Sequence, residues 1–101
     1  MTVEFSDHNI RLDDGSFTRP DHVPMDNRPA FVSAKRLLNI VFPGDKSALS
    51  IADLGALEGG FTVEFARMGF EALGVEVRES NMAACNYVKE RTSLPLSLIH
   101  I

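Results

Sequence analysis

In the second half of the chain, apolar positions change from a continuous run to helical spacing and back. Residues 49–54 are mostly apolar, which is typical of a central parallel strand covered on both faces. A helix is predicted to begin at residue 59 or 60, with Phe61, Phe65 and Met68 on one face at i, i+4 and i+7. Gly69 then suits a left-handed C-terminal cap.

A second strand and a further helix follow. Residues 72–77 form an apolar run in which Glu76 ends the strand, and Ser80 is placed to cap the next helix. Strands that alternate with helices of this length predict the α/β class, a doubly wound (Rossmann-like) parallel sheet with right-handed crossovers. Ala84, Tyr87 and Val88 are predicted to share one face of this next helix.

The first 42 residues have a different pattern of polar and apolar positions. Residues 1–28 are polar and turn-rich, and Asp14-Gly15 lies between two short alternating stretches, which predicts a hairpin followed by a connector. Residues 29–42 have helical spacing, and Pro29 suits a first helical turn. We expect the helix to pack on the sheet through a stripe formed by Phe31, Ala34, Leu38 and Val41.

The C-terminal residues 96–101, LSLIHI, have two interpretations. As an apolar run they predict the start of a third strand. They are also the in-frame translation of a sequencing-library transposon adapter, which predicts that the natural sequence ends near Pro95. On that interpretation residues 29–95 are the α/β domain, as the N-terminal piece of a longer protein.

Composition narrows the class of partner. The formal net charge is −4 and no cluster of Lys and Arg stands out, so nucleic acid is not an expected partner. No apolar run is long enough to span a bilayer, and the first residues lack a signal-peptide pattern. Cys85 is the only cysteine and is expected to be a small buried hydrophobe. A cytoplasmic protein without a membrane partner is expected; scattered histidines argue against a metal site.

The loop between the first strand and its helix, GALEGG, indicates a ligand site. Glycines there allow a ligand to approach the backbone, and Glu76 follows Gly55 at about the spacing at which an acid meets ribose hydroxyls. Asp53, Glu58 and Glu76 would repel a diphosphate, and the loop contains neither Lys nor Arg. The loop also lacks the G-x-G-x-x-G spacing. A ligand with a ribose, a positive centre and no phosphate fits better, and S-adenosylmethionine has these features.

The stretch IADLGALEGGFTVEFARMG followed by LGVEV resembles the first two motifs of class I S-adenosylmethionine-dependent methyltransferases. Asp53, Gly55 and Gly59 match the pattern D-x-G-x-G-x-G, whereas Leu57 replaces the middle glycine. The resemblance covers roughly residues 50–91. It implies the N-terminal half of a class I methyltransferase fold.

The resemblance also implies a role for each matched position. Asp53 would serve the amino-acid end of S-adenosylmethionine, and the loop Gly55, Ala56, Leu57 and Gly59 would lie under it. Glu76 would hold the ribose hydroxyls, with Val77 beside the adenine. In the family the catalytic residues follow a fourth strand, which this chain does not contain, so catalytic residues and methyl acceptor stay unknown.

Purely structural interpretations of these residues remain open. Asp53 could cap a turn, and Glu58 is expected to be a solvated loop or helix-start residue. Two rival functions are a nicotinamide or flavin dinucleotide enzyme and a non-catalytic α/β binding module.

Overall fold

A computed structural model describes residues 3–101 of the chain. Three strands alternate with two helices, preceded by a further helix and an irregular N-terminal segment. None of the helices in this described range is long and apolar enough to cross a membrane. The elements are α1 (Pro29–Val41), β1 (Ser50–Leu54), α2 (Gly60–Arg67), β2 (Glu71–Glu76), α3 (Met82–Glu90) and β3 (Leu96–His100).

The strands form one open parallel sheet in the order β1-β2-β3. The predicted α/β class and parallel sheet are therefore confirmed. The prediction that residues 49–54 form a central strand covered on both faces is wrong. Strand β1 lies at the sheet edge, since it pairs with β2 alone among the described strands, and its residues alternate between exposed and half-buried.

The two helices that connect the strands cover a single face of the sheet. Successive strands are added in the same direction, so connections of one hand place α2 and α3 on the same side. Ala72 and Leu98 are buried beneath them. On the opposite face Leu54 and Ile99 remain exposed, at 79% and 42%. In the described residues the doubly wound arrangement is thus present only as a sheet with helices on one face.

The most deeply buried face of α2 is not the one that carries Phe61 and Phe65. Its buried positions include Val63 and Ala66, which lie over the sheet side of the helix. Phe61 and Phe65 are only half-buried, because they face α1 and contact Phe31 at ring-centroid distances of 6.3 and 5.8 Å. Large aromatic residues therefore form a second contact beside the main core.

Helix α1 is confirmed within one residue of its predicted end, but its expected packing on the sheet is wrong. Phe31 is its only buried side chain, and it packs on the aromatic residues of α2. Leu37 and Ile40 are 60% and 71% exposed, and Val41 is also exposed. The helix contacts the body mainly through Phe31, and two further residues of the predicted stripe are half-buried, while its outer apolar side chains remain in water.

Helix termini differ from expectation at one site. Gly69 has φ +110°, and its left-handed cap conformation is confirmed. Ser80 does not cap α3: it lies in a 3₁₀ turn, Glu79–Asn81, and α3 begins after it without a side-chain cap. Ala84, Cys85 and Val88 form the buried face of α3, and Tyr87 is half-buried beside it. The predicted face and the burial of Cys85 are confirmed.

The N-terminal segment forms a tight turn rather than two regular strands. Gly15 adopts φ +86°, and a single antiparallel bridge joins Arg11 and Phe17. Residues 1 and 2 of the predicted hairpin segment lie outside the described residues. The rest of the segment crosses the N-terminus of α2, where it meets the candidate site.

Candidate functional site

The predicted site residues gather at the carboxyl ends of β1 and β2. Because the strands are parallel, with Leu54 opposite Val75, Gly55 and Glu76 lie next to each other at the carboxyl ends of their strands. Asp53 lies opposite Gly74, on the face that α2 covers. Open α/β sheets bind ligands at the carboxyl ends of their strands.

The loop that joins β1 to α2 alternates left-handed residues. Gly55, Leu57 and Gly59 have φ of +78°, +55° and +92°. Leu57 therefore adopts the conformation that a glycine at this position favours, although it is the residue that departs from the methyltransferase pattern. A left-handed conformation costs about 1 kcal/mol for a residue with a side chain.

The loop is fixed to β2 by backbone hydrogen bonds. Gly55 and Ala56 both donate their N–H groups to the carbonyl of Val75, at 2.8 and 2.9 Å. Leu57 donates its N–H to Oε1 of Glu76 at 3.2 Å, and its own carbonyl accepts the thiol of Cys85. The loop thus holds one shape against the strand ends.

Glu76 is buried and already accepts three hydrogen bonds. Besides Leu57, the Asn81 amide donates to Oε2 at 2.6 Å and the Arg78 N–H donates at 3.3 Å. The Asn81 hydrogen bond, more than the backbone donors, holds the pKa of Glu76 below its ordinary value. The carboxylate stays ionised at neutral pH. With about four lone-pair positions, it retains one for a ligand hydroxyl.

Asp53 is half-buried and bound to the first turn of α2. The hydroxyl of Thr62 donates to its Oδ2 at 3.0 Å. Burial raises the pKa of Asp53 and the nearby Glu76 carboxylate adds to the rise, while Thr62 opposes it. Burial disfavours the charged form of this carboxylate, and a cationic ligand group beside it would stabilise that form.

Glu58 is buried, so its expected role as a solvated residue is wrong. It is 2% exposed, and its carboxylate accepts the consecutive N–H groups of Ser6, Asp7 and His8 at 2.7, 2.9 and 2.8 Å. A buried carboxylate requires such donors, and the N-terminal segment supplies them. Glu58 therefore ties the glycine loop to residues 50 positions earlier.

His8 continues this contact at the start of α2. Its Nδ1 accepts the N–H of Gly60 at 3.0 Å, and the ring is 4% exposed. Burial lowers the pKa of His8, although the Glu58 carboxylate works against the shift. A Cβ on Gly60 would lie 2.7 Å from Nδ1 of His8, so only glycine allows this approach. One of the helix N–H groups expected to be free for a ligand is thus already bound.

Open space remains at Gly55 and between the N-terminal segment and α3. Nothing lies within 4 Å of a Cβ position at Gly55, and Val77 is 66% exposed beside it. An open cleft of about 830 Å³ extends between the N-terminal segment and the start of α3. It includes Arg19, Glu58 and Asn81 in its lining. The cleft therefore adjoins the Glu76 carboxylate through Asn81.

The arrangement of Gly55, Glu76 and Val77 is compatible with a ligand that carries hydroxyl groups and an apolar ring. The carboxylate can accept a ribose hydroxyl, and the exposed Val77 offers an apolar surface. It fits a diphosphate less well, because Asp53 and Glu76 flank a loop that holds no basic side chain. Of the three expected carboxylates only two border the loop in this way, since Glu58 is bound by the N-terminal segment.

Several residues of the site escaped prediction from the sequence. His8, Thr62 and Asn81 each bond a site residue, but none belongs to the glycine motif. The polar run SDHN, residues 6–9, is typical of irregular backbone, whose N–H groups need partners outside a regular element. It does not reveal that the partner is Glu58.

Comparison with known proteins finds no match: no family model matches the chain, and no curated protein or solved structure is significantly similar to it.

Proposed function

We propose that this chain carries the cofactor-binding residues of an S-adenosylmethionine-dependent methyltransferase whose methyl acceptor is unknown. S-adenosylmethionine supplies, when bound, a methyl group on a sulfonium cation. Asp53 would face its cationic amino-acid end, and the loop from Gly55 to Gly59, with Ala56 and Leu57, would lie under it. Glu76 would accept hydrogen bonds from the ribose, and Val77 would contact the adenine.

One observation carries the proposal. A loop with three left-handed residues joins a strand to a helix, and it lies beside a carboxylate that ends the neighbouring strand. The loop holds no basic residue, and the two carboxylates that border it favour a ligand that is positive rather than negative. These features favour an adenosyl sulfonium ligand over a nicotinamide or flavin dinucleotide.

The direct test is titration of the full chain with S-adenosylhomocysteine and with NAD, followed by amide NMR. We expect S-adenosylhomocysteine to shift the amide signals of Gly55, Leu57 and Val77, while NAD leaves them in place. The signals of β2 report whether the chain is folded. Binding of NAD alone would replace the proposal with a dinucleotide enzyme.

Two variants separate a cofactor site from a non-catalytic binding module. Glu76→Gln and Asp53→Asn should each weaken S-adenosylhomocysteine binding on the order of ten-fold, or about 1.4 kcal/mol. Glu71→Gln removes an exposed carboxylate of the same strand as Glu76 and should leave the affinity unchanged. Equal behaviour of all three variants would favour the binding module.

A further inference from the structure

We propose that residues 6–8 form an acid-released latch over the N-terminus of α2, held closed by the Glu58 carboxylate and the His8 imidazole. The term latch refers here to these residues with their contacts to Glu58 and Gly60. It does not depend on the identity of the ligand, and it stands whether or not the glycine loop binds S-adenosylmethionine.

The first contact of the latch is charge-assisted. Three consecutive backbone N–H groups converge on the two oxygens of Glu58, at 2.7 to 2.9 Å, and the Ser6 hydroxyl lies 3.4 Å from Oε2. Hydrogen bonds to an ionised acceptor are roughly twice as strong as those between neutral groups. Their burial strengthens them further, because little water competes. The carboxylate charge is therefore what orders residues 6–8.

The second contact requires a neutral histidine. Nδ1 of His8 accepts the Gly60 N–H, so this nitrogen carries no proton and Nε2 carries the ring proton. Protonation would place an N–H at Nδ1 against the N–H of Gly60 at a separation of 3.0 Å, and both groups would be donors. Gain of a proton therefore converts an attraction into a repulsion at the centre of the latch.

The charged groups around His8 influence the pH at which its imidazole is protonated. Glu58 and Asp7, whose Oδ2 lies 3.8 Å from Nε2, favour the protonated ring, and Asp53 does so more weakly. Burial of the ring and the Arg28 guanidinium oppose protonation. Burial has the largest effect, so the pKa of His8 lies below its ordinary value.

The sign of the pH effect follows. In an open latch His8 is solvated and titrates near about 6.5, the usual value for histidine. The closed latch binds fewer protons than the open one because its pKa is lower. Closure is thus fully favoured above about pH 6.5 and is lost as the pH falls toward the pKa of the closed state. Opening frees the Gly60 N–H at the helix end, next to the glycine loop.

The test measures hydrogen exchange of individual amides in the full chain. At pH 7.5 we expect the amides of Ser6, Asp7, His8 and Gly60 to be protected. After correction for intrinsic rates, their protection should fall at pH 5.5 by up to about ten-fold, the most that titration of one histidine can give over this range, while amides of β2 keep theirs. Glu58→Gln should cause a similar loss already at pH 7.5, whereas the exposed control Glu71→Gln should not. Unchanged protection in Glu58→Gln would overturn the proposal.

A second variant isolates the histidine. In His8→Asn the side-chain oxygen can take the place of Nδ1 as acceptor for Gly60, and it does not titrate in this range. We expect the Gly60 amide to stay protected at both pH values in this variant. The matched control His100→Asn, at the exposed end of β3, should retain the pH dependence of the unaltered protein. A His8→Asn protein that still loses protection at pH 5.5 would overturn the role of His8. The β2 amides verify folding in every case.

Discussion

The latch and helix α1 both lie against α2, and they follow opposite rules of burial. Around Glu58 and His8 the structure buries polar side chains and gives each a partner within 3.0 Å. On α1 it leaves large apolar side chains such as Leu37 and Ile40 in water. Polar residues are thus inside and apolar residues outside, in two neighbouring parts of one small domain.

The difference shows which contacts hold each region. The latch depends on a few directional bonds, and each loses its value when a partner is removed or protonated. Helix α1 depends on Phe31, a single ring that contacts two others on α2. A change at one residue should therefore release either region, but for different physical reasons.

The largest effect is expected at the aromatic contact. Phe31→Ala removes a side chain that is 2% exposed and should lower the free energy of unfolding by about 3 to 5 kcal/mol. Ile40→Ala, on the same helix, should change it by less than about 0.5 kcal/mol, because the side chain is 71% exposed. Urea unfolding followed by circular dichroism measures both. Similar losses in the two variants would mean that α1 buries its outer face in solution.

The next largest effect tests the close approach in the latch. In Gly60→Ala the added methyl would lie 2.7 Å from Nδ1 of His8 and 2.7 Å from the end of Met25. Overpacking and the weakened hydrogen bond should together cost about 2 to 3 kcal/mol. Gly44→Ala adds a methyl with nothing within 4 Å at φ +88°, and only the backbone strain of about 1 kcal/mol is expected there. Equal costs would show that the latch does not close tightly.

These contacts mark the limit of prediction from the sequence. Periodicity predicted α1, the strand–helix alternation and the glycine loop, because each depends on residues close together in the chain. The Glu58 contacts join positions about 50 residues apart, and no local pattern encodes them. Burial on α1 was mispredicted for a related reason: a stripe shows which side of a helix is apolar, and the surface it meets depends on the whole topology.

The candidate site was likewise only partly predictable from the sequence. The placement of Gly55, Gly59 and Glu76 after the carboxyl ends of β1 and β2 follows from the order of elements, and the structure has them there. The partners of the carboxylates did not follow, because Thr62 and Asn81 are reached only after α2 and α3 pack. Whether the site binds S-adenosylmethionine stays a prediction for the titrations proposed above.

A smaller effect on the free energy of unfolding is expected from the buried charge of Asp53. Since burial raises the pKa of Asp53, the folded state binds its proton more tightly than the unfolded state does, and ionisation at neutral pH costs stability. Asp53→Asn should therefore raise the free energy of unfolding at pH 7 while it weakens ligand binding. The gain should shrink as the pH falls toward about 4, the ordinary pKa of an aspartate. The exposed control Glu71→Gln should show no such gain, and a loss of stability in Asp53→Asn would contradict the assignment.

The smallest effect tests the strained residue of the loop. Leu57→Gly relieves a left-handed conformation worth about 1 kcal/mol, but it adds flexibility to the unfolded chain and removes a half-buried side chain. The net change should stay within about 1 kcal/mol. Leu57→Ala keeps the strain and loses the same contacts, so it should be less stable than the glycine variant, the reverse of the usual order inside regular structure. Urea unfolding at pH 7 ranks the two variants. If alanine proved the more stable, Leu57 would not be left-handed in solution, and the loop would lose the alternation that carries the proposed function.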